Sequence, residues 1–387
     1  MNQENGVLSC KYYKVNSSGN LEIEGNYRPA SLYVTMQTDE DGNVSYVFTD
    51  MRGKQILTRQ LSDNISHDTY YIYDDLDNLR FVLSPMYQQK ADIDLYAYQY
   101  RYDDRGRCIW KKIPGCGPVI YVYDKADRLV FSQDSLQRAQ DTPKWDFYVY
   151  DKLGRTLLYG ICSNNNIDEA RDDIITGVFS NTTNTIGNSG YNSNFSLISP
   201  SVRKVYYYDN YDFLTNRNKE LVYEERPGYG KRYNVNDYSA KGLLTGTYVN
   251  TIPAGWEGAL DEYSALYYDN RGRLIQSRKS RMSGEAFDNE YLAYNFQGQP
   301  VKRLHEHLMT DINQISELYS YEYDHAGRLI EIRHKLNEGN EVVIARNTYD
   351  ELGRLISEQA NGQEGLQTDY SYLSLIHISE PTRPEPI

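Results

Sequence analysis

The stretch His305-Glu306-His307 comes nearest to metal-binding chemistry in this sequence, because imidazole nitrogens are common ligands of zinc. If the stretch forms a β-strand, its two histidines point to the same face of the sheet. The i, i+4 spacing of a helical zinc motif is missing, and no third ligand is evident from the sequence. We interpret these residues as polar positions of a sheet, and we expect neither a metal nor any other cofactor.

Other candidates for chemistry are weaker. A calcium site or acid–base catalysis could use the carboxylates of Asp168, Glu169, Asp172 and Asp173. These residues lack the alternate-residue ligand spacing and the glycine of a calcium-binding loop. Cys116 lies between two glycines, with no histidine near it in sequence to activate it. Neither a nucleophile elbow nor a phosphate-binding loop occurs. The sequence predicts a solvated acidic loop, a structural turn at Cys116 and a protein without enzymatic activity.

One pattern recurs along most of the chain and is most complete in the segment YEYDHAGRLI, which begins at Tyr321. Its aspartate, or an asparagine in its place, stands at positions 74, 103, 124, 151, 209, 269, 295, 324 and 350. Two of the intervals are about twice as long as the others, and we expect a degenerate copy at 235–243 inside the second. Repetition on this scale is typical of arrays in which each unit buries its apolar face against its neighbours.

The residue types predict the structure of one unit. In Tyr-x-Tyr the two rings lie on the same face of a strand. In Asp-x-x-Gly the aspartate accepts from a backbone N–H two residues later, and the glycine takes the positive φ that closes a hairpin loop. Arginine and an aliphatic run then begin the return strand. We expect the Asp–Arg pair to fix register more than stability, and the tyrosines to form cross-strand ladders.

The structural motif positions are the tyrosine, aspartate, glycine and arginine of each copy, and we expect a structural role for them. They are Tyr102, Asp103, Gly106, Arg107, Tyr123, Asp124, Arg128, Tyr150, Asp151, Gly154, Arg155, Tyr208, Asp209, Tyr268, Asp269, Gly272, Arg273, Tyr323, Asp324, Gly327, Arg328, Tyr349, Asp350, Gly353 and Arg354.

Several such copies together resemble the YD repeat of the Rhs family, which also includes shell proteins of insecticidal toxin complexes and the extracellular domain of teneurins. The resemblance covers roughly residues 60 to 372. It implies an all-β fold, in which a tandem hairpin array forms a long, spiralling antiparallel sheet that is part of a hollow shell. In bacterial members this shell encloses a C-terminal toxic domain.

The function that this resemblance implies is that of a structural shell segment that encapsulates or carries a C-terminal effector. We expect that effector, and the family's terminal core, to lie outside this chain. Secretion machinery is a further implied partner, and the full-length protein would be secreted or at the cell surface. The alternative is a cell-surface carbohydrate-binding or adhesion module, because exposed tyrosines on a sheet suit sugar rings. Buried tyrosines would favour the shell, and solvent-facing rows would favour glycan binding.

Composition excludes several other classes. The net charge of −13 and the pI of about 5.0 argue against nucleic acid and against anionic membranes as partners. No apolar stretch is long enough to span a membrane, and the first residues do not form a signal peptide. Four cysteines without framework spacing, at positions 10, 108, 116 and 162, are expected to be reduced.

The predicted organisation has three parts. Residues 1–60 alternate strands with acidic glycine turns and would form a β-meander that continues the sheet. Residues 61–372 carry the repeats, with an Asn- and Ser-rich insert at 163–194 that we expect to be a flexible surface loop, apart from one short element at Ile167 to Ile175. Residues 373–387 break the pattern; they resemble a translated adapter sequence, and the alternative is a disordered terminus.

Overall fold

The computed structural model describes residues 1–62, 65–164, 166–180, 185–215, 219–232, 240–251, 260–281, 286–309, 312–362 and 364–372. Within these residues the chain is all-β, as predicted, and it divides into two compact units. The first unit comprises Met1–Arg155, Tyr159–Val178 and Ser193–Ser201; the second comprises Thr156–Leu158, Phe179–Asn192 and the chain from Val202 onward.

The first unit contains twelve strands among its described residues. They are β1 (Lys11–Val15), β2 (Leu21–Asn26), β3 (Tyr33–Thr38), β4 (Val44–Thr49), β5 (Gln55–Ser62), β6 (Ile65–Tyr73), β7 (Leu79–Leu83), β8 (Ala97–Tyr102), β9 (Cys108–Lys112), β10 (Val119–Tyr123), β11 (Leu129–Gln133) and β12 (Trp145–Tyr150). Its short helices are α1 (Pro85–Lys90), α2 (Ile93–Tyr96) and α3 (Ser135–Arg138). Strands β3 to β12 pair antiparallel in chain order.

Four strands draw residues from both units, and the second unit continues with a further series. The four are β13 (Thr156–Cys162), β14 (Gly177–Phe179), β15 (Tyr191–Ser193) and β16 (Ser201–Tyr208). The series is β17 (Leu244–Thr251), β18 (Leu260–Tyr268), β19 (Leu274–Arg281), β20 (Ala286–Tyr294), β21 (Pro300–Met309), β22 (Ile312–Tyr323), β23 (Leu329–Leu336), β24 (Val342–Tyr349), β25 (Leu355–Ala360) and β26 (Gln367–Asp369). Strands β16 to β26 also pair antiparallel in chain order. Among the described residues, 3₁₀ helices occur at Ile167–Asp172, Ile186–Asn188, Asp212–Leu214, Lys219–Leu221 and Glu364–Leu366.

The hairpin turns have the form that the sequence predicts. In the turn after β8, the Gly106 N–H donates to the Asp103 carbonyl oxygen over 2.9 Å, and Gly106 has a φ of 75°. The pairing register shifts by one residue between Arg101 and Tyr102, where the strand enters the turn. A type I turn followed by a left-handed residue and a bulge is a common three-residue hairpin connection. Asp127 takes the glycine's place in another copy and has a φ of 61°.

The N-terminal residues differ in part from the expected meander. Strands β3 to β5 belong to the sheet, but β1 and β2 pair only with each other and form a separate hairpin. Cys10 and Tyr13 at this hairpin are buried against the sheet, and the Tyr13 ring meets the Tyr70 ring edge-on at 4.9 Å. The hairpin covers apolar side chains of the sheet that would otherwise face water, and this burial is the physical reason for its position.

A buried ion pair holds the N-terminal segment in place. The Arg59 guanidinium donates to the Asp68 carboxylate from Nε over 2.7 Å, and both side chains are about one-tenth exposed. The same guanidinium donates to the backbone carbonyls of Val7 and Ser9, at 2.7 and 3.0 Å. Because the arginine's donors are shared between a carboxylate and two carbonyls, the charge is compensated and the segment before β1 is fixed to β5.

The core of the second unit includes stacked aromatic rings. Tyr207 and Phe213 stack with their ring centroids 4.2 Å apart, and Tyr211 stacks on Tyr267 at 4.7 Å. Part of the Gly- and Tyr-containing stretch 226–258 lies outside the described residues. Its described portion contains β17 and an irregular segment, in which the Gly230 N–H donates to the backbone of β20 over 2.9 Å.

The described part of the insert 163–194 contains packed residues. Ile167 and Ala170 in the 3₁₀ helix are buried, as are Ile175 and Tyr191. The short element predicted between Ile167 and Ile175 is therefore present, and it has apolar side chains to anchor it. The flexibility of the remainder stays a prediction.

Turn glycines allow a test of backbone strain alone. Gly154 has a φ of 83°, and Gly365 has no such constraint; an added Cβ would meet no atom within 4 Å at either position. We expect Gly154→Ala to lower the free energy of unfolding by about 1 to 2 kcal/mol, because a side chain disfavours the left-handed region. The matched control Gly365→Ala should change it by less than about 0.5 kcal/mol. Urea denaturation measures both, and equal changes would contradict the turn assignment.

Candidate functional site: the junction between repeats

Within each copy, the aspartate organises the turn. Asp324 Oδ1 accepts hydrogen bonds from the Ala326 N–H at 2.9 Å and from the Arg328 N–H at 2.8 Å. Its other oxygen, Oδ2, accepts from Arg328 Nε at 2.6 Å. The predicted bond to the N–H two residues later is thus present, and the predicted Asp–Arg pair forms. The same Asp–Arg pairing occurs at positions 103, 124, 151, 269 and 350.

The arginine also reaches the next hairpin. Arg328 Nη1 donates to the backbone carbonyl of Asp350 over 3.2 Å, and its guanidinium lies 4.9 Å from the centroid of the Tyr349 ring. A cation over an aromatic face is attracted to it, by about 0.5 to 1 kcal/mol when exposed and more when desolvated. One arginine therefore connects the aspartate of its own turn to the tyrosine and aspartate of the following turn.

This arginine contact recurs along the array. The guanidinium-to-ring distance is 5.0 Å for Arg107 over Tyr123 and for Arg128 over Tyr150, and 4.7 Å for Arg273 over Tyr294 and for Arg354 over Tyr372. The contact thus extends as far as Tyr372, which occupies the motif tyrosine position although Leu373 follows it instead of aspartate.

The motif tyrosine completes the junction by bonding back to the preceding hairpin. The Tyr349 hydroxyl donates to the backbone carbonyl of Leu329, the residue after Arg328, over 2.9 Å. The equivalent hydroxyl bonds, of 2.6 to 3.1 Å, are Tyr102 to Leu79, Tyr123 to Cys108, Tyr150 to Leu129, Tyr268 to Leu244, Tyr294 to Leu274, Tyr323 to Pro300 and Tyr372 to Leu355. We call this set of contacts the inter-repeat junction: aspartate and arginine of one copy, tyrosine and aspartate carbonyl of the next.

The junction changes the interpretation of the tyrosines. Tyrosine pairs do occur, for example Tyr248 with Tyr263 at 4.8 Å, but the recurring partner of a motif tyrosine is an arginine. Burial raises the pKa of the Tyr102 hydroxyl to about 12 and also raises the pKa of Tyr150 and of Tyr268. These hydroxyls therefore stay protonated and act as donors. The simple ladder expected from the sequence is replaced by alternating rings and guanidinium groups.

One predicted copy is corrected by the structure. Asp209 lacks a nearby glycine, and its Oδ1 accepts from the Gly242 N–H over 2.6 Å. The Asp209 N–H donates to the Leu243 carbonyl over 3.1 Å, and Tyr208 pairs with Leu244 at the end of the β16–β17 hairpin. The described end of the stretch 235–243 thus closes the turn that Asp209 begins, instead of forming a copy of its own; 235–239 lie outside the described residues.

The other sequence candidates remain dispersed. Asp168 pairs with Arg171 at 3.3 Å, Glu169 accepts from Asn166, and Asp173 accepts from the Ile174 N–H. All three acidic side chains belong to exposed residues, and they do not converge on a common point.

The four cysteines are free, with Cys116 exposed. Burial raises the pKa of the Cys10 thiol to about 12 and of Cys162 to about 11, which suppresses thiolate formation. Burial also raises the pKa of Cys108. The structure therefore supplies no activated thiol at these three positions.

The His305-Glu306-His307 stretch lies on β21, and its successive side chains point to opposite faces of the sheet, as in any β-strand. Glu306 is buried on one face and bonds to Arg226 at 2.7 Å. The two histidine rings lie together on the other face, with centroids 4.1 Å apart. His307 Nδ1 lies 2.6 Å from the carboxylate of Asp288 on β20. Sequence reasoning missed Asp288, because only the strand register shows which residue of β20 opposes His307.

Comparison with known proteins gives structural similarities only, since no family model and no curated protein match the chain. The crystal structure of TcdB2-TccC3 aligns with a TM-score of 0.39 and 12% identity, over 92% of this chain and 18% of that one. A Photorhabdus luminescens Tc holotoxin pore with a substituted TccC3 gives 0.29 and 15%, over 84% and 16%. The TcdB2-TccC3-Cdc42 structure gives 0.29 and 15%, over 91% and 18%. The chain thus spans less than a fifth of these proteins, and similarity of this extent does not define a family.

The helices of the described residues are also too short and too polar to cross a bilayer.

The junctions should differ in strength according to burial. In the copy at 124 the Asp124 side chain is fully buried and Arg128 is 15% exposed, whereas in the copy at 350 the values are 21% for Asp350 and 42% for Arg354. We expect Arg128→Met to lower the free energy of unfolding by about 3 to 5 kcal/mol, because it leaves a buried carboxylate unpaired. Arg354→Met should cost about 1 kcal/mol or less.

Urea denaturation of both variants tests this difference. As a control, adding Asp124→Asn to Arg128→Met should restore part of the loss, because the unpaired charge is removed. Equal losses at the two sites would contradict a role of burial in the junction.

Acid should weaken the junctions. The pKa of Asp324 and the pKa of Asp350 are lowered by hydrogen bonds from the arginine of the same turn. The backbone N–H of that arginine has the larger effect, and its side chain adds to it. At Asp103 and Asp269, burial acts to raise the pKa but is outweighed by bonds to the paired arginine, so the pKa is again lowered. A carboxyl group whose pKa is lower in the folded than in the unfolded state stabilises the fold while it is ionised. This stabilisation is fully present above the unfolded-state pKa of about 4.

We therefore expect the free energy of unfolding to fall as the pH drops below about 4 and through the lowered folded-state values. Urea denaturation between pH 7 and pH 3 measures this dependence. Asp269→Asn should flatten it, since the amide does not titrate; an unchanged slope would show that Asp269 is not part of the effect.

Proposed function

We propose that the chain is a non-enzymatic wall segment of a YD-repeat shell of the Rhs type, which encloses or carries an effector polypeptide. The observation that carries the proposal is the repetition of one junction between successive hairpins in both units. A chain built in this way is extended by adding hairpins, which attach through recurring contacts. Such a construction suits a large enclosing surface better than a single catalytic centre.

The use of the motif side chains supports this role. The aspartates, arginines and tyrosines, which are the residue types most able to do chemistry in each copy, are engaged in contacts between and within hairpins. The aspartate oxygens are occupied by backbone and guanidinium donors, as at Asp324, and the tyrosine hydroxyls are bonded to carbonyl oxygens, as at Tyr349. A residue committed to such contacts is not available as an acid, base or nucleophile.

Sheet edges provide a further physical argument. A long antiparallel sheet exposes unpaired backbone groups wherever it ends, and these groups pair readily with other chains. Closing the sheet around an interior removes the exposed edges and separates an enclosed polypeptide from its surroundings. We extend the proposal to the full-length protein, for which secretion or display at the cell surface, through dedicated export machinery, would deliver the effector.

Carbohydrate binding is the second candidate, and the tyrosine positions weigh against it. Among the described residues, the exposed tyrosines are Tyr33, Tyr98, Tyr370 and Tyr372. They are few compared with the 39 tyrosines of the chain, and the motif rings before Tyr372 are partly buried. Four of these rings, those of Tyr123, Tyr150, Tyr294 and Tyr349, lie against an arginine. A glycan-binding surface would need rows of accessible rings.

The test is limited proteolysis of the protein purified from the cells that encode it. We expect a co-purifying polypeptide without YD repeats to resist cleavage while the wall is intact, and to be cut rapidly in an Arg128→Met variant. Mass spectrometry identifies the protected fragments, and Arg354→Met, at an exposed junction, serves as the matched control. Equal cleavage in all three proteins would contradict encapsulation. Saturable glycan binding that is lost in Tyr33→Ala or Tyr98→Ala would instead support the second candidate.

A further inference from the structure

We propose that Asp288, His305 and His307 form a binding site for a divalent transition-metal ion, with zinc as the ion that this ligand set suits best. Two imidazoles and a carboxylate, with positions left open for water or a further ligand, form a donor set typical of zinc. The site is independent of the repeat motif and of the proposed shell function.

Strand geometry brings the three side chains together. His305 and His307 are two residues apart on β21, so their side chains share one face of the sheet. Asp288 on β20 is the direct cross-strand partner of His307. Directly opposed residues of an antiparallel pair have Cβ atoms about 4.5 to 5.5 Å apart, close enough for both side chains to reach one ion.

The distances fit an ion after small side-chain movements. One potential ligand atom from each of the three residues can be chosen such that all three lie within 4.8 Å of one another. Zinc binds imidazole nitrogen and carboxylate oxygen at about 2.0 to 2.2 Å, so three tetrahedral ligands are about 3.5 Å apart. Rotations that bring the atoms closer by about 1 Å would therefore complete the coordination, and no strand has to move.

The site has both a fixed and an accessible side. The Asp288 side chain is 9% exposed, whereas His305 is 26% exposed and His307 is 42% exposed. The carboxylate is therefore positioned by the sheet, and the imidazoles provide the route from solvent. A fixed ligand at the base and mobile ligands at the rim allow an ion to enter without unfolding of the strand pair.

The side chains around the site carry charges of both signs. Glu290 and Glu317 are the cross-strand partners of His305 on its two sides, and Glu317 lies 3.8 Å from His305 Nδ1, where it would supply a fourth ligand. Arg281 pairs with Asp288 through Oδ2, and Lys279 is the partner of Asp288 on β19. Asp288 Oδ1, the oxygen next to His307, is thus the atom available to the ion.

The site also gives a reason for the two adjacent imidazoles. The His307–Asp288 hydrogen bond would account for one histidine as an ordinary polar pair. It does not account for a second ring on the same strand face, with its centroid 4.1 Å away and its plane tilted by 51°. A shared metal ion does, because both rings then point nitrogen lone pairs at one centre.

The experiment is a titration of the whole chain, stripped with EDTA, with Zn²⁺ by calorimetry and with Co²⁺ by visible absorption. We expect one equivalent of each ion to bind, with Co²⁺ d–d bands but no thiolate charge-transfer band, because the ligands are nitrogen and oxygen. Zn²⁺ should also raise the midpoint of thermal unfolding.

Variants decide whether the named residues are the ligands. His305→Gln and Asp288→Asn should each weaken Zn²⁺ binding at least tenfold and remove the thermal shift. His325→Gln, at an exposed histidine in the Asp324 turn, and Cys116→Ser should leave both unchanged. Unfolding midpoints measured in EDTA verify that each variant is folded.

The proposal is overturned if the wild-type chain binds no better than His305→Gln. It is also overturned if the cysteine variant, and not the histidine and aspartate variants, loses the ion.

Discussion

The structure depends on a single recurring interaction, in which an arginine is held between the aspartate of its own turn and the tyrosine of the next. Strand pairing alone leaves the register of a polar sheet weakly specified, because a slip by one residue preserves many of the backbone bonds. The junction removes that freedom. Arg328 bonds to the Asp350 carbonyl, and Tyr349 bonds back to Leu329, so that a slip would break both contacts and turn the ring to the opposite face.

One part of the junction, the bond from the tyrosine hydroxyl, persists where the repeat length varies. The turn that begins at Asp209 is closed by Gly242, with a long insertion between them, and Tyr268 still donates to the Leu244 carbonyl beyond it. Extending a loop whose ends are already fixed costs little additional entropy, since the cost grows only with the logarithm of its length. Insertions at hairpin tips are therefore tolerated, and the irregular spacing follows from where they occur.

Because the junction engages the motif side chains, chemistry in this chain is left to positions outside the motif. The polar face formed by β20, β21 and β22 illustrates this point. Its histidines and carboxylates take no part in a junction, and they are brought together by the cross-strand register that the junctions help to fix. A wall segment and a metal site are therefore compatible functions, since they use different residues of the same strands.

The sequence by itself determined what depends on neighbours within a few residues. The alternation in Tyr-x-Tyr, the aspartate bond to the second following N–H and the positive φ at Gly106 are local, and the residue types specify them. These features were enough to predict an all-β array of hairpins. They also predicted the Asp–Arg pair, because both partners belong to one turn.

Only the tertiary structure decided which distant residues meet. The tyrosine ring that lies against an arginine, the closure of the Asp209 turn by Gly242, the packing of the β1–β2 hairpin on Tyr70 and the position of Asp288 beside His307 all join residues that are distant in sequence. The physical reason is that such contacts depend on strand register and on the burial of whole faces. Strand register and the burial of a face depend on many pairings together, and no single segment of the sequence determines them.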